Sequence, residues 1–123
     1  MCGIAGAMAL DGAEPDRDRV ERMGDALDHR GPDGRGAYAA QDVALAHTRL
    51  SIIDLETGGQ PLDDGIGAAL IANGEIYNFV ELRARHGELE FATRSDCELP
   101  LRLYPGAGAD VAGALRGMYA LAL

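Results

Sequence analysis

The chain is poor in aromatic residues and in positive charge. Only 5% of its 123 residues are aromatic, none is tryptophan, and 47% are hydrophobic, so the core must be largely aliphatic. Eleven basic residues stand against 20 acidic ones, which gives a net charge of −9. Nucleic acids and anionic membrane surfaces select a basic protein face, so this balance argues against either as the main partner.

Cysteines and long apolar runs are also scarce. Cys2 and Cys97 lie far apart and no apolar leader precedes the first, which argues against a disulfide framework and favours a reducing, cytoplasmic setting. No apolar run approaches the roughly 20 residues that span a bilayer. His29 and His47 share no zinc-ligand spacing with the cysteines, so we assign them structural roles and predict no metal site.

Hydrophobic patterns predict more strands than helices. We predict strands over residues 2–10, 43–53, 68–72, 88–93 and 118–123. Helices are predicted after residues 15–16, from 78 to 86, from 95 to 104 and near 110, with capping boxes at 78–81 and 95–98. Only some of the strands are separated by helices, which indicates one α+β domain with antiparallel sheet.

Cys2 is the first candidate for chemistry. If Met1 is removed, Cys2 carries both a thiol and a free α-amine. An α-amine titrates near pH 8 and a thiol near about 8.5, so the amine can act as general base for its own side chain. The alternative is that a cysteine stands second by chance, at the start of a small apolar strand.

Two further pairs of residues each allow a functional and a structural interpretation. Asn73 and Gly74, directly after a predicted buried strand, can hold the oxyanion of an acyl-transfer intermediate or form a tight turn. Arg49 and Asp96 can clamp the carboxylate and ammonium of an amino acid. Equally, they can be an exposed arginine and an aspartate in the first turn of a helix. The loop at 29–34 either folds over a substrate or is a plain helix exit.

The order and spacing of six motifs resemble one family. The motifs are CGI at 2–4, HRGPDG at 29–34, RLSIIDL at 49–55, QPL at 60–62, NGEIYN at 73–78 and SDCE at 95–98. Together with LRGMYALA at 115–122, they make the chain similar to the glutaminase domain of glutamine-dependent asparagine synthetases, a class II glutamine amidotransferase. The resemblance covers residues 2–123.

The resemblance implies a fold and a set of roles. The fold is the four-layer αββα sandwich of N-terminal-nucleophile hydrolases, with antiparallel sheets. Cys2 becomes the nucleophile, its α-amine the base, and Asn73 with Gly74 the oxyanion hole. The implied substrate-binding residues are Arg49, Leu50, Ser51, Ile52, Ile53, Asn73, Gly74, Glu75 and Asp96. The implied reaction is hydrolysis of glutamine to glutamate and ammonia, which a full-length parent uses for asparagine synthesis.

Two features depart from the family. Pro100 stands where the family continues a helix with an aliphatic residue, which puts the placement of Asp96 in doubt. The resembling domains also run some tens of residues beyond residue 123, into an ATP-dependent synthetase domain with a Ser-Gly-Gly-X-Asp-Ser loop that has no counterpart here. We therefore expect a fragment, incomplete at its C-terminus and lacking that domain. It needs no cofactor itself, since ATP and Mg²⁺ belong to the synthetase domain.

The expected truncation supports a rival interpretation. A shortened or degenerate copy would bind glutamine or act as an interaction module without catalysis. Its terminal apolar run at 118–123 would favour pairing with another chain, for example in a homodimer. Against the rival, every residue that the family uses around its substrate is present.

Overall fold

The first sheet contains three antiparallel strands. The computed structural model describes residues 1–123, and it places β1 (Gly3–Met8), β2 (Gly34–Ala40) and β3 (Val43–Arg49) in the order β1-β3-β2. β1 and β3 were predicted, but β2 was not. Its sequence, GRGAYAA, has only one large apolar residue, so it shows no alternating pattern. The strand forms because its backbone pairs with the whole length of β3.

The second sheet is also antiparallel. It contains β4 (Leu62–Asp63), β5 (Ala69–Ile76) and β6 (Gly117–Ala122), in the order β4-β5-β6. Asn73 and Gly74 lie inside β5, opposite Ala120 and Tyr119 of β6, so the interpretation of this pair as a turn is wrong. The predicted strands at 68–72 and 118–123 are confirmed.

Helices cover the outer face of each sheet. α1 (Arg17–Asp25) starts at Asp16, whose side chain accepts the Arg19 N–H at 2.9 Å, and Val20 of α1 packs on the first sheet. α2 (Phe79–Arg85), α3 (Glu98–Ala107) and α4 (Val111–Ala114) cover the second. The layers run helix, sheet, sheet, helix, which is the predicted α+β sandwich. None of these helices is long and apolar enough to cross a membrane.

Two clusters form the core beneath α2, α3 and α4. One contains Ile76, Leu82, Leu99, Leu103, Val111 and Leu115. The other contains Leu62, Leu70, Ala72, Cys97 and Leu101. These residues are mostly aliphatic, as the low aromatic content predicted.

The segment 88–93 is not a strand, contrary to the prediction. Glu98, which is 1% exposed, accepts the backbone N–H groups of Ala92 and Thr93 at 2.8 and 2.7 Å, and also the Thr93 hydroxyl. Burial alone would raise the pKa of Glu98, but these hydrogen bonds and the one from Arg102 at 2.8 Å lower it. A buried carboxylate therefore satisfies the backbone that a neighbouring strand would otherwise have paired.

Neither predicted capping box forms. The side chain of Asn78 bonds the backbone of Ala114 and Arg116 rather than its own helix. Ser95 Oγ accepts the N–H of Cys97, while the Glu98 N–H bonds the Ser95 carbonyl oxygen and the Glu98 carboxylate bonds Ala92 and Thr93. Tertiary partners have displaced the local ones that the spacing predicted.

Pro100 does not disturb its helix. α3 begins at Glu98, so Pro100 falls in the first turn, where the N–H that proline lacks has no partner within the helix. The helix also runs through the predicted stop at 104–106 and ends at Ala107.

Candidate active site

The alternation of side chains along β3 directs two polar residues into the space between the sheets. Ala46 packs against Val20 of α1, so its side chain faces outward. Successive side chains point to opposite faces of a strand, and His47 and Arg49 therefore face the second sheet. His47 reaches it, since its Nε2 lies 3.1 Å from the Ala72 carbonyl oxygen.

The same alternation along β5 supplies the facing residues. Leu70 and Ala72 pack with Leu101 of α3, on the outer side of the second sheet. Asn73 and Glu75 line a cavity on the other side, which they share with Cys2 and Arg49 of the first sheet region. Residues more than 70 positions apart in the sequence are brought together in this way.

The cavity contains nine of the ten predicted site residues. They are Cys2, Arg49, Leu50, Ile52, Ile53, Asn73, Gly74, Glu75 and Asp96. Ser51 does not line it; its backbone N–H donates to Asp33 Oδ2 at 2.8 Å instead. The position of Asp96 shows that Pro100 has not moved this residue out of the site.

The Cys2 thiol is held between two loops. The N–H of Leu50 points at Cys2 Sγ from 3.4 Å, and the Leu50 carbonyl oxygen lies 3.7 Å from the same sulfur. Arg30 donates through Nε to the carbonyl oxygen of Cys2 at 3.1 Å, and Asp33 holds the backbone after Leu50. The loop at 29–34 therefore does more than end a helix, because it fixes the backbone around Cys2.

A second thiol, Cys97, shares the cavity but differs in its protonation. Burial, followed by the charge of the neighbouring Asp96, raises the pKa of Cys97 to about 12. A thiol with that pKa stays protonated at neutral pH and is a poor nucleophile. Cys2, which is only partly buried, is the better candidate of the two.

The Arg49 guanidinium is partly committed to the loop that follows β3. It donates to the carbonyl oxygens of Ile53 at 3.3 Å, of Leu55 at 3.4 Å and of Asp54. These bonds use both N–H groups of Nη2 and one of Nη1, so the Nε–H and the second N–H of Nη1 have no protein partner. Arg49 thus shapes the loop and keeps donors that suit a carboxylate.

The carboxylate of Asp96 is buried without a cationic partner. It is 2% exposed, and its Oδ2 accepts the Ile76 N–H at 2.7 Å. Asp96 takes part in none of the chain's salt bridges. A buried carboxylate without a counter-ion is unfavourable, so this position suits a ligand that brings a positive charge.

The backbone at Asn73 and Gly74 is shaped by close contact with β6. Gly74 has φ of +144°, and a Cβ there would lie 1.9 Å from the Met118 carbonyl oxygen, so only glycine fits. Asn73 Oδ1 is buried without a hydrogen-bond partner, so the protein does not satisfy this side chain itself. The pair presents an amide side chain and a backbone N–H at the cavity.

Comparison with known proteins identifies the family of the chain. The family model for the glutamine amidotransferase domain matches residues 1–123. This chain belongs to the glutamine amidotransferase domain family. Asparagine synthetase B [glutamine-hydrolyzing] of Escherichia coli (strain K12) is 42% identical over 127 residues, which cover 100% of this chain and 23% of that protein.

Two plant relatives are similarly identical to this chain, and it again covers only a small part of their length. Asparagine synthetase [glutamine-hydrolyzing] 2 of Arabidopsis thaliana is 40% identical over 125 residues, covering 100% of this chain and 22% of the relative. The corresponding protein of Oryza sativa subsp. japonica is also 40% identical over 125 residues, with 21% of its length covered. The amidotransferase domain described here spans less than a quarter of each of these relatives.

Sequence reasoning missed some residues that line the cavity of this amidotransferase domain. They are Met1, Gly58, Gln60, Ser95, Cys97 and Met118. Gln60, Ser95 and Cys97 lie within the QPL and SDCE motifs, so the motifs themselves could have pointed to them. Met118 lies within LRGMYALA at 115–122. Gly58 carries no such signal, because only the folded chain brings the 54–60 loop to the cavity.

The histidines and acidic residues of the amidotransferase domain form no metal-binding group. No three or more histidine, cysteine, aspartate or glutamate side chains lie where they could share an ion. His47 is 2% exposed, and burial lowers its pKa, so its ring is neutral at physiological pH.

Proposed function

We propose that this domain hydrolyses glutamine to glutamate and ammonia through a thioester on Cys2. The observation that carries the proposal is the meeting, in one cavity, of a thiol, two oxyanion donors and two charged anchors. The thiol is Cys2, the donors belong to Asn73 and Gly74, and the anchors are Arg49 and Asp96.

The charged anchors set the orientation of the substrate. In the proposed complex the α-carboxylate of glutamine pairs with the Arg49 guanidinium, and its α-ammonium pairs with Asp96. Glu75 brings a second carboxylate to the cavity. Both ends of the amino-acid backbone are held, so the side-chain amide extends toward Cys2.

The chemistry then needs only groups that lie in the cavity. After Met1 is removed, the Cys2 α-amine takes the thiol proton and the thiolate attacks the amide carbon of glutamine. The resulting oxyanion accepts hydrogen bonds from Asn73 Nδ2 and the Gly74 N–H. The C–N bond breaks, and ammonia leaves with the proton from the amine. A water molecule, deprotonated by the same amine, hydrolyses the thioester and releases glutamate.

The fate of the ammonia belongs to a longer parent protein. By analogy with the relatives, we propose that it passes to a synthetase domain that uses ATP and Mg²⁺ to form asparagine, while the present domain needs no cofactor. A cytoplasmic location is part of the same proposal, because a free nucleophilic thiol persists best in a reducing compartment.

Ammonia release tests the proposal directly. The chain freed of Met1 is expected to release glutamate and ammonia in equal amounts from glutamine, and Cys2→Ala is expected to release neither. Cys97→Ser is the matched control, because its thiol is protonated and should be dispensable. Tight glutamine binding in a calorimeter without any ammonia would favour the non-catalytic interpretation instead.

Substrate selection provides a second test. Asp96→Asn keeps an acceptor for the Ile76 N–H but removes the charge that faces the substrate ammonium. A charge-assisted hydrogen bond is worth about 1.5–3 kcal/mol, so Asp96→Asn and Arg49→Ala are each expected to raise KM about ten-fold or more. Arg49→Lys should also raise KM, since an ammonium has three N–H donors and cannot hold the three loop carbonyls and a substrate carboxylate together.

A matched carboxylate lies outside the cavity. Asp16 caps α1, and Asn caps helices equally well, so Asp16→Asn should leave the KM for glutamine unchanged. An unchanged KM in Asp96→Asn as well would show that Asp96 does not hold the substrate.

A further inference from the structure

β5, the strand that carries Asn73 and Gly74, stops pairing with β4 shortly before these two residues. β4 has only two residues, and it pairs β5 at Ala69 and Leu70 alone. Two residues further along, at Ala72, the backbone has no partner strand on the β4 side. Unpaired backbone groups at such a place need other partners.

Two side chains supply these partners. Gln60 Oε1 accepts the Ala72 N–H at 2.6 Å, and His47 Nε2 lies 3.1 Å from the Ala72 carbonyl oxygen. A carbonyl only accepts, and a neutral imidazole has one N–H, so His47 carries its proton on Nε2. Its Nδ1 is buried without a hydrogen-bond partner, so the contact with Ala72 is the one hydrogen bond that the His47 ring makes.

A glycine, Gly36, allows the loop that carries Gln60 to lie close to the strand that carries His47. Gly36 lies opposite His47 in the pairing of β2 with β3. A Cβ on Gly36 would lie 1.9 Å from the carbonyl oxygen of Gln60, so the missing side chain makes room for the loop that carries Gln60. His47 comes from the first sheet and Gln60 from this loop, and both converge on one residue of the second sheet.

From these contacts we propose that His47 and Gln60 are positioning residues that fix the two peptide groups on either side of Ala72 and thereby place the oxyanion donors. His47 holds the Ala72–Asn73 peptide through its carbonyl oxygen, and Gln60 holds the preceding peptide through the Ala72 N–H. The Ala72 carbonyl is part of the peptide plane from which the Asn73 side chain projects. The Asn73–Gly74 peptide, with the second donor, follows directly. A rotation of the first plane moves both donors relative to Cys2 Sγ, and displacement of about 1 Å in a catalytic group lowers rates by about a hundred-fold. The inference rests on the function proposed above.

Kinetics of two near-isosteric variants test it. His47→Phe and Gln60→Met remove the hydrogen bonds but keep most of the side-chain volume. Each is expected to lower kcat about ten-fold or more with KM within about two-fold, since only the transition state needs the donors. His47 does not line the cavity, so a KM effect in His47→Phe would contradict the proposal. His86→Phe and Gln41→Met, which lie away from this contact, are the matched controls.

Two further measurements separate positioning from a general loss of structure. Alkylation of Cys2 by iodoacetamide develops no oxyanion, so both variants should react at the parent rate. Gln60→Glu and His47→Gln keep an acceptor or a donor for Ala72 and are expected to recover kcat to within about three-fold of the parent. Slow alkylation, or no recovery in these conservative variants, would overturn the inference.

A double-mutant cycle and a spectroscopic readout complete the test. Because Gln60→Met displaces both donors and Asn73→Ala leaves only the Gly74 N–H, Gln60→Met should lower kcat less in the Asn73→Ala background than in the parent, whereas fully additive losses would contradict the proposal. In NMR spectra, the Asn73 side-chain amide should shift or broaden in His47→Phe, and Ala72 N–H exchange should accelerate in Gln60→Met. Both NMR measurements can be made whether or not the chain hydrolyses glutamine. If the parent releases no ammonia, the proposed function fails, and unchanged NMR signals would separately overturn the positioning role.

Discussion

A chain that keeps Met1 is expected to release no ammonia from glutamine. In that form the nitrogen of Cys2 is part of a peptide bond and cannot take the thiol proton. Met1 also lines the cavity, so its side chain occupies space beside the nucleophile. General-base catalysis contributes about 10²–10⁴-fold, and exposure of the α-amine should therefore raise the rate by at least about a hundred-fold.

Both forms can be obtained from one preparation. An N-terminal extension that a protease removes to leave Cys2 as the first residue gives the blocked and free chains side by side. Intact mass identifies each form, and coupled glutamate and ammonia assays give the rates. Met1 is 56% exposed, so its removal should leave the melting temperature almost unchanged. Equal rates of ammonia release before and after cleavage would contradict the proposed role of the Cys2 α-amine as general base.

Asn73→Asp is expected to lower kcat by roughly a hundred-fold or more while the chain stays folded. The substitution keeps the shape of the side chain but replaces an N–H donor with an oxygen that bears negative charge. In the proposed mechanism this oxygen faces a developing oxyanion. Asn73 Oδ1 has no hydrogen-bond partner in the fold, so the change breaks no existing side-chain contact.

The chain offers a matched control for this variant. Asn78 is its only other asparagine, and its side chain bonds backbone groups of Ala114 and Arg116 outside the cavity. Asn78→Asp should lower stability, because the donor to Ala114 is lost, yet leave kcat unchanged. Thermal melting and glutamine kinetics on both variants separate folding from catalysis. Normal glutamine hydrolysis by Asn73→Asp would mean that Asn73 stabilises no oxyanion.

The sequence predicted the elements with strong local patterns and failed where distant contacts replaced them. The apolar run of β3 and the helical spacing of apolar residues in α1 sufficed to locate these elements, although the predicted segment 43–53 extended four residues past the end of β3. β2 was missed, since a strand of glycine and alanine takes its structure from its partner. The segment 88–93 and both capping boxes were predicted wrongly, because Glu98 and Asn78 bond groups that local spacing does not reveal.

By itself, the sequence determined the family, the α+β architecture and the residue types available for chemistry, because ordered motifs and hydrophobic periodicity are properties of the chain alone. Only the tertiary structure decided that Asn73 and Gly74 belong to a strand, that Cys97 is buried and protonated, and that Asp96 lacks a counter-ion. It also placed His47 and Gln60 on the backbone of Ala72. The physical reason is that burial, charge pairing and sheet register depend on residues far away in the sequence, which meet only when the two sheets pack.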